Sequence, residues 1–264
     1  MSQPFLLTEG AGMVFSKRGD EVRALAPLDL AIDEGRFLAV VGPSGCGKST
    51  LMRLLTGLTK PSEGRIILGG TPLTGPAKGV GMAFQNASLL PWRTTLQNVM
   101  LPFEIVAPHK HRLRRARAEY EARAHAILSE VGLADFAERH PWELSGGMQQ
   151  RTNVCRAIVH EPRLMMLDEP FGALDAFTRE ALWSVMQRLW MERGFTAVLI
   201  THDLREAVFL SDEVLVMSAR PGRIIHSETI DLPRPRTLDM TYTSDFQDKA
   251  HALRARIETE HDAL

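Results

Sequence analysis

Gly42-Pro43-Ser44-Gly45-Cys46-Gly47-Lys48-Ser49-Thr50 restricts the fold more than any other stretch of this 264-residue chain. It satisfies the spacing G-x-x-x-x-G-K-S/T, and its flanks supply the strand-to-helix context that the motif needs. Upstream stands Phe37-Leu38-Ala39-Val40-Val41, an uninterrupted apolar run that reads as a buried strand. Downstream, Lys48 to Leu58 reads as a helix that ends near Gly57 and the turn Lys60-Pro61-Ser62-Glu63-Gly64. Glycines reach backbone angles closed to other residues, so successive N–H groups can turn inward on one anion. The helix N-terminus adds a favourable dipole. Lys48 would set a cation against the β- and γ-phosphates of a nucleotide, and Ser49 would offer a hydroxyl to Mg2+.

Other segments extend the pattern. Val80 to Phe84, Leu164 to Leu167, Thr196 to Ile200 and Val214 to Met217 read as strands. Phe177 to Glu192 and Leu204 to Leu210 read as helices between them. The alternation predicts an α/β fold with a mainly parallel sheet. Phe5 to Ile32 and Arg65 to Leu68 read as an antiparallel β flank. Residues 88–161 read as an inserted α-helical subdomain, in which Leu113, Ala116, Tyr120, Ala124, Ile127, Leu128 and Val131 recur at helical spacing. Residues 1–235 are expected to form one domain, and 236–264 a short tail ending in a helix from about Asp245.

Asp168 follows the apolar run Leu164-Met165-Met166-Leu167, where a carboxylate at a strand end can hold Mg2+. Side chains alternate along a strand, so Glu169 points elsewhere and can polarise a water toward the γ-phosphate. Ser145, Gly146 and Gly147 stand before a predicted helix that runs to about His160. A hydroxyl, glycine N–H groups and a helix dipole make a second anion site there. A helix of ~14 residues carries the chain ~20 Å. The next strand can bring it back, so spacing leaves open whether that site serves the same nucleotide.

In its motifs the chain resembles the ATP-binding cassette (ABC) ATPases over about residues 5 to 235. Beyond the phosphate loop and Asp168-Glu169, Leu144-Ser145-Gly146-Gly147-Met148-Gln149-Gln150-Arg151 matches the family signature, with Met148 where Gln is commoner. Gln85 matches the Q-loop, Gly172-Ala173-Leu174-Asp175 the D-loop and His202 the switch histidine. The resemblance implies a P-loop NTPase (RecA-like) core that hydrolyses ATP with Mg2+. It implies that Gln85 contacts the metal and the attacking water, that His202 meets the γ-phosphate and positions Glu169, and that Asp175 lies at a dimer interface. It also implies that Ser145, Gly146 and Gly147 serve the ATP of a second copy of the chain. Phe15 takes the place of the residue that stacks on adenine, although Lys17-Arg18-Gly19-Asp20 intervenes before the phosphate loop. An ordinary core aromatic is the competing reading of Phe15.

Leu90-Pro91-Trp92, Met217-Ser218-Ala219-Arg220-Pro221-Gly222-Arg223 and Asp231-Leu232-Pro233-Arg234-Pro235-Arg236 resemble the nitrate, sulfonate and taurine type of bacterial importer ATPase. That implies two transmembrane permease subunits, an external substrate-binding protein, and a place on the cytoplasmic face of the plasma membrane. The subgroup does not fix the cargo. Two other classes share part of this pattern: an ABC ATPase acting on nucleic acid or ribosomes, and a P-loop small-molecule kinase. DNA-repair members put long coiled coil between the phosphate loop and the signature, whereas 97 residues separate Lys48 from Ser145 here. A kinase needs neither Ser145-Gly146-Gly147 nor His202.

Composition agrees. Lys and Arg number 31 against 32 Asp and Glu, so no bulk positive charge directs the chain to nucleic acid. No apolar run approaches the ~20 residues that cross a bilayer. Met1 to Phe15 has no basic segment followed by an apolar one, so no signal peptide is expected. A disulfide between Cys46 and Cys155 is not expected in a reducing compartment. The run His109 to Arg117 is dense in cations. A solvated helix face is favoured over contact with anionic lipid or a partner's loop.

Overall fold

The structure is a computed structural model describing residues 3–17, 20–172 and 174–262. Arg18 and Gly19 of the polar insertion and Ala173 of the D-loop lie outside the described residues. The chain opens with β1 (Leu6–Lys17), β2 (Asp20–Ile32), β3 (Phe37–Val41), α1 (Lys48–Leu55), β4 (Glu63–Leu68), β5 (Thr71–Pro72) and β6 (Val80–Ala83). It continues through α2 (Thr95–Ile105), α3 (His109–Arg112), α4 (Arg117–Glu130), α5 (Gly146–Ile158), β7 (Leu164–Asp168) and α6 (Ala176–Arg193). Last come β8 (Thr196–Ile200), α7 (Leu204–Leu210), β9 (Glu213–Met217), β10 (Ile224–Thr229) and α8 (Ser244–Asp262). These form two compact units: one takes the chain up to Ala77 and again from Thr196, and the other is Lys78–Phe195.

The first unit holds two sheets. β2, β1, β4 and β5 lie in that order, antiparallel throughout. β9, β3 and β8 run parallel, and β10 borders β9 antiparallel. All five residues of β3 and of β8 are buried, as strands covered on both faces require. The second half of β2 alternates instead: Leu28, Leu30 and Ile32 are buried while Asp29 and Ala31 face out.

In the second unit β6 and β7 pair in parallel, and α2, α4 and α5 pack on one another. Among the described residues no helix is long and apolar enough to cross a membrane.

Two helix boundaries and one strand differ materially from the sequence reading. α1 ends at Leu55 rather than Leu58, because the Thr56 hydroxyl donates to Met52 O (2.9 Å) and Gly57 N closes a tight turn on Leu54 O (3.0 Å). α4 starts at Arg117, not Leu113. The short α3 turns the chain back so that His109 sits 3.2 Å from the Tyr120 hydroxyl and edge-on to Phe103. The other charged residues of that run, Lys110 to Arg112, Arg114, Arg115 and Arg117, are exposed. β10 escapes a periodicity reading because Ile-Ile-His-Ser-Glu-Thr is polar and only half-covered.

Candidate functional site

In the first unit the phosphate loop joins β3 to α1. Gly42 (φ 153°) and Gly47 (φ 106°) hold angles that L side chains rarely adopt. A Cβ at Gly42 would fall 2.7 Å from Met217 O, and one at Gly47 would fall 2.8 Å from Leu25 Cδ2 and 3.0 Å from Ala24 O. Only glycine fits at either place. Lys48 is 8% exposed, and its ammonium donates to Gly42 O (2.7 Å) and Pro43 O (2.9 Å). The cation therefore sits inside the curve of the loop. Ser44, Gly45 and Ser49 are exposed, Pro43 and Thr50 half-buried, and Cys46 buried.

The wall of this loop was not read from the sequence. Arg220 Nη2 donates to Gly45 O (3.3 Å), and a Cβ on Gly222 would stand 2.1 Å from Cys46 O. Gly222 also exchanges backbone bonds with Ala24 and Ala26 (both 3.0 Å). Residues 217–223, taken from sequence only as a subgroup marker, thus pack directly on the phosphate loop.

His202 lies in the same unit, exposed on the turn between β8 and α7. Its neighbours are fixed. Asp203 N donates to Thr201 Oγ1 (3.0 Å), and Asp203 Oδ1 caps α7 by accepting from Arg205 N (2.9 Å) and Glu206 N (3.2 Å). Phe15 is 44% exposed on β1, opposite Val22 of β2, so it is not a core aromatic.

The second unit carries the remaining candidates. Gln85 is exposed just beyond β6, and its Nε2 donates to Glu169 Oε2 (3.2 Å). Asp168 closes β7, half-buried, and Glu169 follows with φ 45°, an uncommon angle for a non-glycine residue. Strain of this kind costs roughly 1–3 kcal/mol and persists where the surroundings over-determine it.

Ser145 is the N-cap of α5, its Oγ accepting from Met148 N (3.3 Å). Ser145 and Gly146 are exposed, and the first N–H groups of a helix have no partner within it. A Cβ on Gly147 would meet Thr178 Cγ2 (3.3 Å) and Leu174 Cδ2 (3.4 Å), so the signature packs against the start of α6. Asp175 caps that helix by accepting from Thr178 N (3.0 Å), and this N–H holds its carboxyl below the usual range.

Sequence reasoning also missed how α5 grips the segment after β6. Gln150 Nε2 donates to Gln85 O, Asn153 Nδ2 to Phe84 O (2.8 Å), and Arg156 to Ala87 O (2.6 Å) and Ser88 O (3.0 Å). Residues 150, 153 and 156 share one face of the helix. The signature helix and the Gln85 segment are therefore stapled together, and Gln85 in turn holds Glu169.

The arrangement can bind an anion in the curve of the phosphate loop, present a second anion site at Ser145, and hold a carboxylate that accepts a proton. A model of the ABC transporter family matches residues 25–172. An ABC transporter ATP-binding protein of Methanocaldococcus jannaschii is 41% identical over 232 residues, 88% of this chain and 84% of the relative. An aliphatic sulfonates import ATP-binding protein of Burkholderia thailandensis is 44% identical over 89% of this chain and 65% of its own length. A taurine import ATP-binding protein of Yersinia pestis is 44% identical over 76% of each chain. Among solved structures, a dimeric ATP-binding cassette in a post-hydrolysis state with ADP and Pi superposes with a TM-score of 0.73. That protein is 27% identical, and the match covers 86% of this chain and 100% of that one.

Proposed function

The chain belongs to the ABC transporter family and is the ATP-hydrolysing subunit of an importer, and from that premise we propose how its residues divide the work. Gly42 to Thr50 enclose the phosphates, with Lys48 as the cation and Phe15 stacking on adenine. Glu169 takes a proton from the water that attacks the γ-phosphorus as the bond to the β-phosphate oxygen breaks. His202 donates to the γ-phosphate and orients Glu169. Ser145, Gly146, Gly147 and Asp175 serve the ATP of a second copy in a closed dimer.

The observation that carries this reading is the relay inside the second unit: Gln85 bonded to Glu169, with the Gln85 backbone bonded to Gln150 of the signature helix. Three motifs meant to act together are joined in one hydrogen-bonded set. Ser49, Gln85 and Asp168 offer only oxygen donors to a metal, the ligand type that Mg2+ prefers. Mg2+, when bound, would neutralise charge building on the β- and γ-phosphates.

The subunit works at the cytoplasmic face of the membrane on two permease subunits, fed by an external binding protein. The exposed Pro91 and Trp92 (71%), just beyond the Gln85 segment, offer the permease an apolar contact. The importer type resembled and the sulfonate and taurine names of the relatives support a cargo that is a small organic or inorganic anion, such as a sulfonate, taurine or nitrate.

Glu169→Gln tests the core of the proposal. ATP turnover should fall by about 10²–10⁴ while ATP still binds and dimers accumulate. Full turnover in this variant refutes the assignment of Glu169. Reconstituting the chain with its permease and binding protein tests the cargo: a sulfonate, taurine or nitrate should raise turnover, and stimulation by none of them refutes that part.

A further inference from the structure

The segment beyond β10 packs its side chains on α7. Arg236 is 2% exposed although it carries a guanidinium. Its Nη1 donates to Val208 O (2.7 Å), Phe209 O (3.1 Å) and Ser211 O (2.6 Å), and its Nη2 to Ile230 O (3.1 Å) and Leu232 O (3.3 Å). Val208 and Phe209 are in the last turn of α7, where carbonyls lack partners within the helix. A cation at that end also complements the negative pole of the helix dipole. Arg234 adds a bond to Leu210 O (2.6 Å) and is paired with Asp212 (2.9 Å).

The other end of the same helix is held from the same segment. Arg205, in the first turn of α7, donates to the Oγ1 of Thr241 (3.2 Å), which is 1% exposed. Thr241 is fixed in turn: its hydroxyl donates to Leu238 O (2.7 Å), and its carbonyl accepts from Gln247 of α8 (2.6 Å). α7 is thus gripped at both ends by one stretch of chain. Its N-terminus continues into Asp203 and Thr201, and the Thr201 hydroxyl bonds back to Glu206 of the helix (3.1 Å). His202 lies between these two fixed residues.

We infer that residues 232–247 clamp α7 so as to hold the His202 turn in register for hydrolysis, with Arg236 and Thr241 as positioning residues. The inference rests on the reading of His202 given above. Displacing a catalytic group by about 1 Å can cost about a hundredfold in rate, so a clamp on its supporting helix bears on turnover rather than on nucleotide affinity.

The test uses the full chain with Thr241→Val, Arg236→Lys and, separately, His202→Ala. Thr241→Val keeps the shape and deletes the bond to Arg205. Arg236→Lys keeps the charge and loses the fork that reaches several carbonyls at once. Hydrogen exchange over residues 201–210 should quicken about tenfold, while β3 and α1 stay as protected as before. The kcat for ATP should fall several-fold, with KM changing by less than about twofold. Unchanged exchange at 201–210, or unchanged kcat in both tail variants beside an inactive His202→Ala, overturns the clamp. Full activity in His202→Ala overturns the reading of His202 itself. If the tail variants are then still slow, the clamp acts through something other than His202, and the inference is equally refuted.

Discussion

Replacing Arg156 with methionine should loosen the Gln85 segment without touching any residue that meets nucleotide. Methionine keeps the aliphatic stem and removes the guanidinium that donates to Ala87 O (2.6 Å), Ser88 O (3.0 Å) and Asn153 Oδ1 (2.9 Å). The bond to Ser88 is exposed and competes with water, so it is discounted. The part-buried bond to Ala87 O retains the value of a charge-assisted pair, roughly 1.5–3 kcal/mol. Ser88 also sits at φ 43°, a left-handed angle that the staple helps to maintain. A local loss of about 2 kcal/mol corresponds to about thirtyfold more frequent opening. Hydrogen exchange of residues 84–88 should therefore quicken by about that factor, while α1 and β3 are unchanged. ATP turnover should fall with the KM for ATP preserved, since Gln85 bonded to Glu169 is what the staple supports. An exchange rate at 84–88 that does not move, or turnover equal to that of the parent, would refute the argument that α5 holds this segment.

Two further outcomes are open to direct measurement. Gly47→Ala adds a Cβ 2.8 Å from Leu25 Cδ2 at φ 106°, so ATP affinity by titration calorimetry should drop about a hundredfold, and an unchanged affinity would sink the account of the loop. Burial, with a smaller contribution from His109, lowers the pKa of His160 to about 4. The unfolded chain binds a proton there near pH 6.5 and the folded chain does not until about 4. His160 thus costs stability as pH falls through that window, up to about 3 kcal/mol at its lower end. Denaturation of His160→Leu should show a correspondingly flatter dependence from pH 6.5 to 4, and an identical slope would refute this origin of the acid sensitivity.

Much of the fold was legible because its signals are local. The all-buried strands Phe37–Val41 and Thr196–Ile200 are continuous apolar runs, and the phosphate loop announces itself by glycine spacing next to them. β10 was not legible, since a half-covered strand of Ile-Ile-His-Ser-Glu-Thr has no apolar face to display. Gln150, Asn153 and Arg156 were visible at one-face spacing, but they address backbone carbonyls at residues 84–88. A carbonyl is the same at every position, so no side-chain pattern marks the receiving end. Gly222 and Arg220 show the same gap: their partners at Cys46 and Gly45 are distant in sequence and again backbone. Phe15 was undecided on spacing, and its exposure removed the core-aromatic reading.

The packing around Cys46 has a practical consequence. Cys46 is buried with its carbonyl against Gly222, and Cys155 is fully enclosed in α5, where burial pushes its thiol pKa up. Neither native sulfur should meet an alkylating reagent while the fold is closed. A single cysteine introduced at an exposed position, Ser145→Cys for example, would then be the one reactive thiol, ready for a fluorophore or a cross-linker to a second copy, with both native cysteines left in place. Slow labelling of the buried Cys46 would in turn become a clock for how often the phosphate loop opens.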